Sequence, residues 1–196
     1  MEEQSRLITP PGSAQSLHVT STWDGTLLPA SQHIEISFWL DQTSGHIAFS
    51  APFYNDPPPS APQGSTPQLW EHEVVEVFVA GSPTQDGWPY LELEFGPHGH
   101  YLLLQLSAVR KLKEQGFPCT YKARLQGQRW QGYAQVPRTL FPPQPWTWNA
   151  YAIHGSNQTR QYLAAFPTPG TQPDFHQPAC FRPLVCSPSL HDETPV

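Results

Sequence analysis

Apolar and polar residues alternate along "HIEISFWL", with Ile34, Ile36, Phe38 and Leu40 set against Glu35, Ser37 and Trp39. This period of two predicts a strand with one buried face. The turn residues from Asp41 to Gly45 and the run "HIAFSAPF" after them complete a predicted hairpin. Further along, "VVEVFVA" from Val74, "YLELEF" from Tyr90 and "YLLLQL" from Tyr101 are joined by Gly- and Pro-containing turns and predict a meander. "TYKARL", "RWQGYAQVP", "NAYAIHG" and "QYLAAF" extend the series to roughly nine strands, the number expected of a two-sheet sandwich. "AVRKLKEQG" is the one segment that predicts a short helix, ending before Gly116.

Between the hairpin and the meander lies "NDPPPSAPQGSTPQ", Asn55 to Gln68, whose prolines remove amide donors and exclude helix or central strand. It predicts a long exposed loop, and a polyproline segment of this kind is a candidate protein-partner site. Residues 1–16 and 187–196 are polar and read as flexible tails around a single sandwich domain spanning residues 17–186.

Composition reinforces the pattern. The chain of 196 residues has 24 prolines and 13 glycines beside seven tryptophans, seven tyrosines and ten phenylalanines, which describes short extended segments and rigid turns around an aromatic core. The expected fold is an all-β, two-sheet antiparallel sandwich of the jelly-roll or immunoglobulin-like type. A net charge of -6 lacks the basic patch that a nucleic-acid partner requires. No stretch reaches the roughly 20 apolar residues of a membrane span, and the start lacks the order of a signal peptide, so a cytoplasmic or nuclear location is expected. Cys119, Cys180 and Cys186 match no metal knuckle or disulfide framework.

Phase along the meander selects the candidate chemistry. Val75, Val77 and Val79 share one face of their strand, and Glu76 and Phe78 share the other. If Leu91, Leu93 and Phe95, and likewise Leu102, Leu104 and Leu106, face the core, then Glu76, Tyr90, Glu92, Glu94, Tyr101 and Gln105 meet on the outer face. Aromatic rings stack on the apolar faces of sugars and carboxylates accept hydrogen bonds from sugar hydroxyls, so this face is a candidate carbohydrate site with Trp70 at its rim. An ordinary solvated sheet face is the alternative. Two carboxyls on adjacent strands also admit a glycosidase reading, but a flat face lacks the water-excluding pocket that acid catalysis requires. His98 and His100 in "GPHGH" read as turn residues rather than metal ligands beside Glu92 and Glu94, and Met1 is the single methionine for a haem ligand pair. No catalytic residue, metal or cofactor is expected.

"APFYNDPPP", "LWEHEVVEVFV", "YLELEFGPHGHYLLLQLS", "NAYAIHGS" and "PDFHQPACFRPL" resemble, in order, an uncharacterised animal protein family whose human member is named for a chromosome 4 open reading frame. More distantly, the order resembles the sandwich of carbohydrate-binding module family nine and its DOMON-like relatives. There a tryptophan precedes an acid that opens a "VEVF"-type strand; Trp70, Glu73 and Glu76 stand at that spacing, with Glu73 where aspartate is usual. The late "FH-x-P-x-x-F" segment is present as Phe175, His176, Pro178 and Phe181. The resemblance implies a sugar site containing Trp70 and Glu76, with Phe175 where a second tryptophan stands and Arg160 near the position of a site arginine.

Overall fold

The computed structural model describes residues 7–185. Among them the strands are β1 (Gln15–Val19), β2 (Ser21–Thr22), β3 (Ile34–Leu40), β4 (Ser44–Pro52), β5 (Gly64–Ser65), β6 (Val74–Ala80) and β7 (Tyr90–Phe95). They continue as β8 (His100–Ala108), β9 (Lys111–Gln115), β10 (Thr120–Gln126), β11 (Arg129–Pro137), β12 (Trp146–His154), β13 (Gln161–Ala164) and β14 (Arg182–Leu184). One sheet has the order β1-β3-β4-β11-β10. The other runs β2-β13-β12-β6-β7-β8-β5, with β14 against β12 and β9 against β8. Every pairing is antiparallel except that of β5 with β8. The all-β sandwich is therefore present, with fourteen strands rather than about nine.

Alternation sets the core as predicted for β3 and β6: Ile34, Ile36, Phe38 and Leu40 meet Val75, Val77 and Val79 between the sheets, together with Leu91, Leu93, Trp130 and Trp148. The β3–β4 turn is held by Asp41, whose Oδ1 accepts the amides of Thr43 (2.8 Å) and Ser44 (2.6 Å), an Asx turn that fixes the hairpin register.

The other face of the nine-stranded sheet is not solvated. Val74, Phe78, Ala80, Leu102, Leu104, Tyr151 and Ile153 form a second apolar cluster there, covered by Leu69, Phe175 and Phe181. Every residue of β6 and β7 is buried, because loops around the 3-10 turns Leu69–Glu71 and Pro178–Cys180 close over the sheet.

The phase predicted for β8 is reversed. Leu102, Leu104 and Leu106 lie on the outer face, while Leu103 joins the inter-sheet core and Tyr101 packs against it. Three consecutive leucines carry no period-two signal, and pairing of Glu94 with Leu102 and Phe95 with Tyr101 decides the outcome.

The predicted helix is also absent. The chain turns at Arg110, with φ of +58°, and returns as β9 against β8. "AVRKLKEQG" has too narrow an apolar stripe for a helix to bury, whereas the edge of β8 offers unpaired backbone groups. Within the segment expected as an N-terminal tail, residues 7–16 are described. β1 begins at Gln15, and the Leu7 amide donates to the Gln131 side chain (2.8 Å). Met1, Cys186 and residues 187–196 lie outside the described residues.

The proline-rich segment is exposed along much of its length but is tied down along its course. Glu73 accepts the amides of Tyr54 (3.0 Å) and Asp56 (3.2 Å). His72 donates to Pro57 O (3.1 Å) and His100 to Ala61 O (3.0 Å), and β5 then pairs with β8.

Candidate functional site

The central strands of the nine-stranded sheet carry the candidate site. Cross-strand register places Glu76 of β6 opposite Glu94 of β7, and Phe78 opposite Glu92. All three glutamates are buried, and one carboxylate oxygen from each lies within 4.8 Å of the others. Like charges opposite each other on a sheet repel, and burial strips them of water. Burial pushes the Glu92 carboxyl up to about 8. Burial, reinforced by neighbouring carboxylates, likewise holds Glu76 and Glu94 well above the usual range, and the Arg160 charge eases this at Glu76. Neutral carboxyls can donate as well as accept hydrogen bonds.

Above Glu76 and Glu92 opens a cleft of about 500 Å³. Its walls include Trp70, Tyr162, Phe175 and His176, with Phe78, Leu104 and Leu106 completing the apolar surface and Arg110 at its edge. Trp70 stands on the Leu69–Glu71 turn and is 36% exposed. Its carbonyl is gripped by Arg160 Nη2, while Nη1 donates to Glu71 O (3.0 Å) and Gly155 O (3.4 Å) and Nε to the Tyr162 hydroxyl (3.1 Å). Phe175 is held in place by stacking on Tyr151, with ring centroids 4.0 Å apart.

Of the residues singled out from sequence, Trp70, Glu76, Glu92 and Phe175 line the cleft. Glu94 lies beside Glu76 and is fully buried, and Arg160 braces Trp70 through its backbone. Two expectations are corrected. Tyr101 points to the inter-sheet side, where its hydroxyl accepts the Cys119 amide (3.4 Å), and Gln105 reaches Leu140 O (2.9 Å). Glu73 is separately committed to the backbone of the proline-rich segment. His98 and His100 do not join the glutamates: His98 packs edge-on against Phe53, and His100 is bound to Ala61.

The sequence reading did not place Tyr162, Phe78, Leu104 or Arg110 in the site. Phe78 carried the signal of alternation, since it shares a face of β6 with Glu76; the others are brought in by strand order and loop path, which the sequence does not display.

A mouse protein called UPF0462 protein C4orf33 homolog is 39% identical over 182 residues, covering 88% of this chain and 92% of that one. Human UPF0462 protein C4orf33 is 36% identical over 185 residues, covering 89% and 90%, and the zebrafish homolog is 36% identical over 174 residues, covering 84% and 86%. The chain belongs to the UPF0462 (C4orf33) family. No family model matches it.

Among solved structures, this UPF0462 chain is similar to a proposed carbohydrate-binding protein of Bacteroides uniformis, with TM-score 0.68, 18% identity and coverage of 89% of this chain and 87% of that one. It is also similar to a carbohydrate-binding module of family 9 from Caldicellulosiruptor kristjanssonii, solved in complex with cellotriose, with TM-score 0.57, 11% identity and coverage of 93% and 88%. At these identities the likeness establishes the fold as a family-9-like sandwich.

One further feature orders the cleft of this UPF0462 member. The Tyr90 oxygen accepts the Arg110 amide (3.2 Å), which leaves its hydroxyl hydrogen to donate to Nδ1 of His176 (2.7 Å). Burial, with the Arg110 charge, pushes His176 down to about 4, so the ring is neutral at pH 7.

Proposed function

We propose that the cleft above Glu76 and Glu92 is a carbohydrate-binding site and that the protein acts as a binding module. The observation that carries this reading is the lining itself. Trp70, Tyr162 and Phe175 offer aromatic surface around two carboxyls that can exchange hydrogen bonds with hydroxyls. The likeness of fold to a module solved with cellotriose supports it. The three carboxyls rise from adjacent strands on one floor rather than from opposite walls, an arrangement suited to gripping a ring and not to flanking a scissile bond.

A panel of mono- and oligosaccharides, titrated calorimetrically into the full chain, tests the proposal. Binding should be lost in Trp70→Ala and weakened in Glu76→Gln, with far-UV circular dichroism showing both folded. A wild-type chain that binds nothing across the panel overturns the reading.

A further inference from the structure

We propose that Glu76, Glu92 and Glu94 form the floor of a binding site for a hard divalent cation of the calcium class. This does not rest on the carbohydrate reading, and its test contains no sugar.

Glu94 supplies the first observation. Its side chain is fully buried, and neither carboxylate oxygen completes a hydrogen bond, the Trp70 amide being the one backbone donor near it. A carboxyl group out of water with so little to replace its hydration is costly to bury, and far more so once ionised. The orphaned oxygens also point to where a ligand belongs, because Glu94 lies directly opposite Glu76 and within the same 4.8 Å cluster as Glu92.

The surroundings place no protein cation in contact with the carboxyls, although the charges of Arg160 and Arg110 are felt at Glu76 and Glu92. Among the described residues no lysine or arginine forms an ion pair with the three carboxyls. Arg110 is paired with Asp174 (2.8 Å), and Arg160 spends its donors on the carbonyls of Trp70, Glu71 and Gly155 and on the Tyr162 hydroxyl. Nδ1 of His176 stands 4.0 Å from Glu92 but is occupied by Tyr90.

Donor chemistry and size then select the ion. Three carboxylate oxygens are hard ligands, unsuited to thiophilic metals. Oxygens within 4.8 Å of one another can close around an ion at calcium distances of about 2.3–2.6 Å. Glu76 and Glu92 form part of the cleft wall, so water can reach the ion and fill its remaining positions. The cluster thus has three oxygen ligands on one side, which release their protons on binding a cation, and an open approach on the other.

Calcium chloride titrated calorimetrically into chelator-treated full chain should show one ion bound per chain. Affinity should fall at least tenfold in Glu92→Gln and in Glu94→Gln and persist in Glu35→Gln, an exposed acid on the other sheet. A second measurement needs no variant: manganese added to the 15N-labelled wild-type chain should broaden the amides of Glu76, Glu92 and Glu94 before those of Glu35, Asp86 and Glu114. No bound ion at millimolar calcium, calcium affinity unchanged in both cluster variants, or broadening that begins at the exposed acids overturns the proposal.

Discussion

Glu76 and Glu94 face each other in register across β6 and β7, both buried, in the interior of a nine-stranded sheet. Pairing two acids at such a position stabilises nothing by itself. It gives the fold a pH dependence whose sign can be worked out. The unfolded chain releases glutamate protons near the ordinary value of about 4.3. The folded chain holds them to higher pH, with Glu92 at about 8. Stability from these groups is therefore full below the unfolded value and is lost as pH rises through the folded ones. His176 runs the other way, since its folded value of about 4 lies below the ordinary one of about 6.5, and its contribution is lost as pH falls. Above about pH 7 the histidine contribution is constant and the glutamates govern.

Thermal unfolding of the chelator-treated chain should therefore show Tm falling between about pH 7 and pH 9. Each titrating carboxyl contributes a slope of up to about 1.4 kcal/mol per pH unit, or about 3–5 °C for a chain of this size. Glu92→Gln should flatten the curve. A wild-type Tm that rises over this interval contradicts the buried-acid arrangement.

Glu73 anchors the start of the proline-rich segment through two backbone amides, so Glu73→Ala leaves the N–H groups of Tyr54 and Asp56 without their acceptor. The expected cost is about 2–4 kcal/mol. Limited proteolysis should cut first within residues 55–68 of the variant, at protease levels that leave the wild type intact.

Arg160 positions Trp70 by binding the backbone on which it stands. Arg160→Ala should weaken the proposed carbohydrate binding about tenfold, the equivalent of roughly one charged hydrogen bond, while the far-UV spectrum stays unchanged. Arg160→Lys should not restore affinity, because one ammonium cannot span Trp70 O, Glu71 O and the Tyr162 hydroxyl together. Titration calorimetry of the three forms checks both statements.

On the five-stranded sheet, Gly132 pairs with Phe49, and a β-carbon at Gly132 would lie 2.1 Å from Phe49 Cζ. Phe49 is buried edge-on against Trp130, with centroids 4.9 Å apart, and cannot swing away freely. Gly132→Ala should destabilise by about 1–3 kcal/mol through overpacking, measurable by urea unfolding.

The hairpin β3–β4 was readable because Ile34, Ile36, Phe38 and Leu40 form one apolar set on β3, and the phase of β6 because Glu76 marks the face opposite Val75, Val77 and Val79. That phase also put Glu76, Glu92 and Glu94 on one face, as the register confirms. What the alternation did not reveal is that the face is covered. The covering residues Leu69, Phe175 and Phe181 come from turns far apart in sequence, and only the near-continuous apolar run of "VVEVFVA" hints at burial on both sides. Tyr101 was misplaced because Leu102, Leu103 and Leu104 fill both faces of β8 equally well. Glu73 and Glu76 look alike in sequence; one meets backbone amides of a distant segment and the other a cleft, a difference set by the loop's path.

β6 is a wall shared by two interiors. Val75, Val77 and Val79 belong to the space between the sheets, and Glu76 and Phe78 belong to the cleft side. A shift of this strand by a few tenths of an ångström would be felt in both at once, since close-packed interiors transmit displacement rather than absorb it. Reshaping the cleft through β6 therefore carries a penalty in the sandwich core. The side chain freest to vary the site without that penalty is Trp70, which stands on the Leu69–Glu71 turn outside the strands of the sheet and is partly exposed.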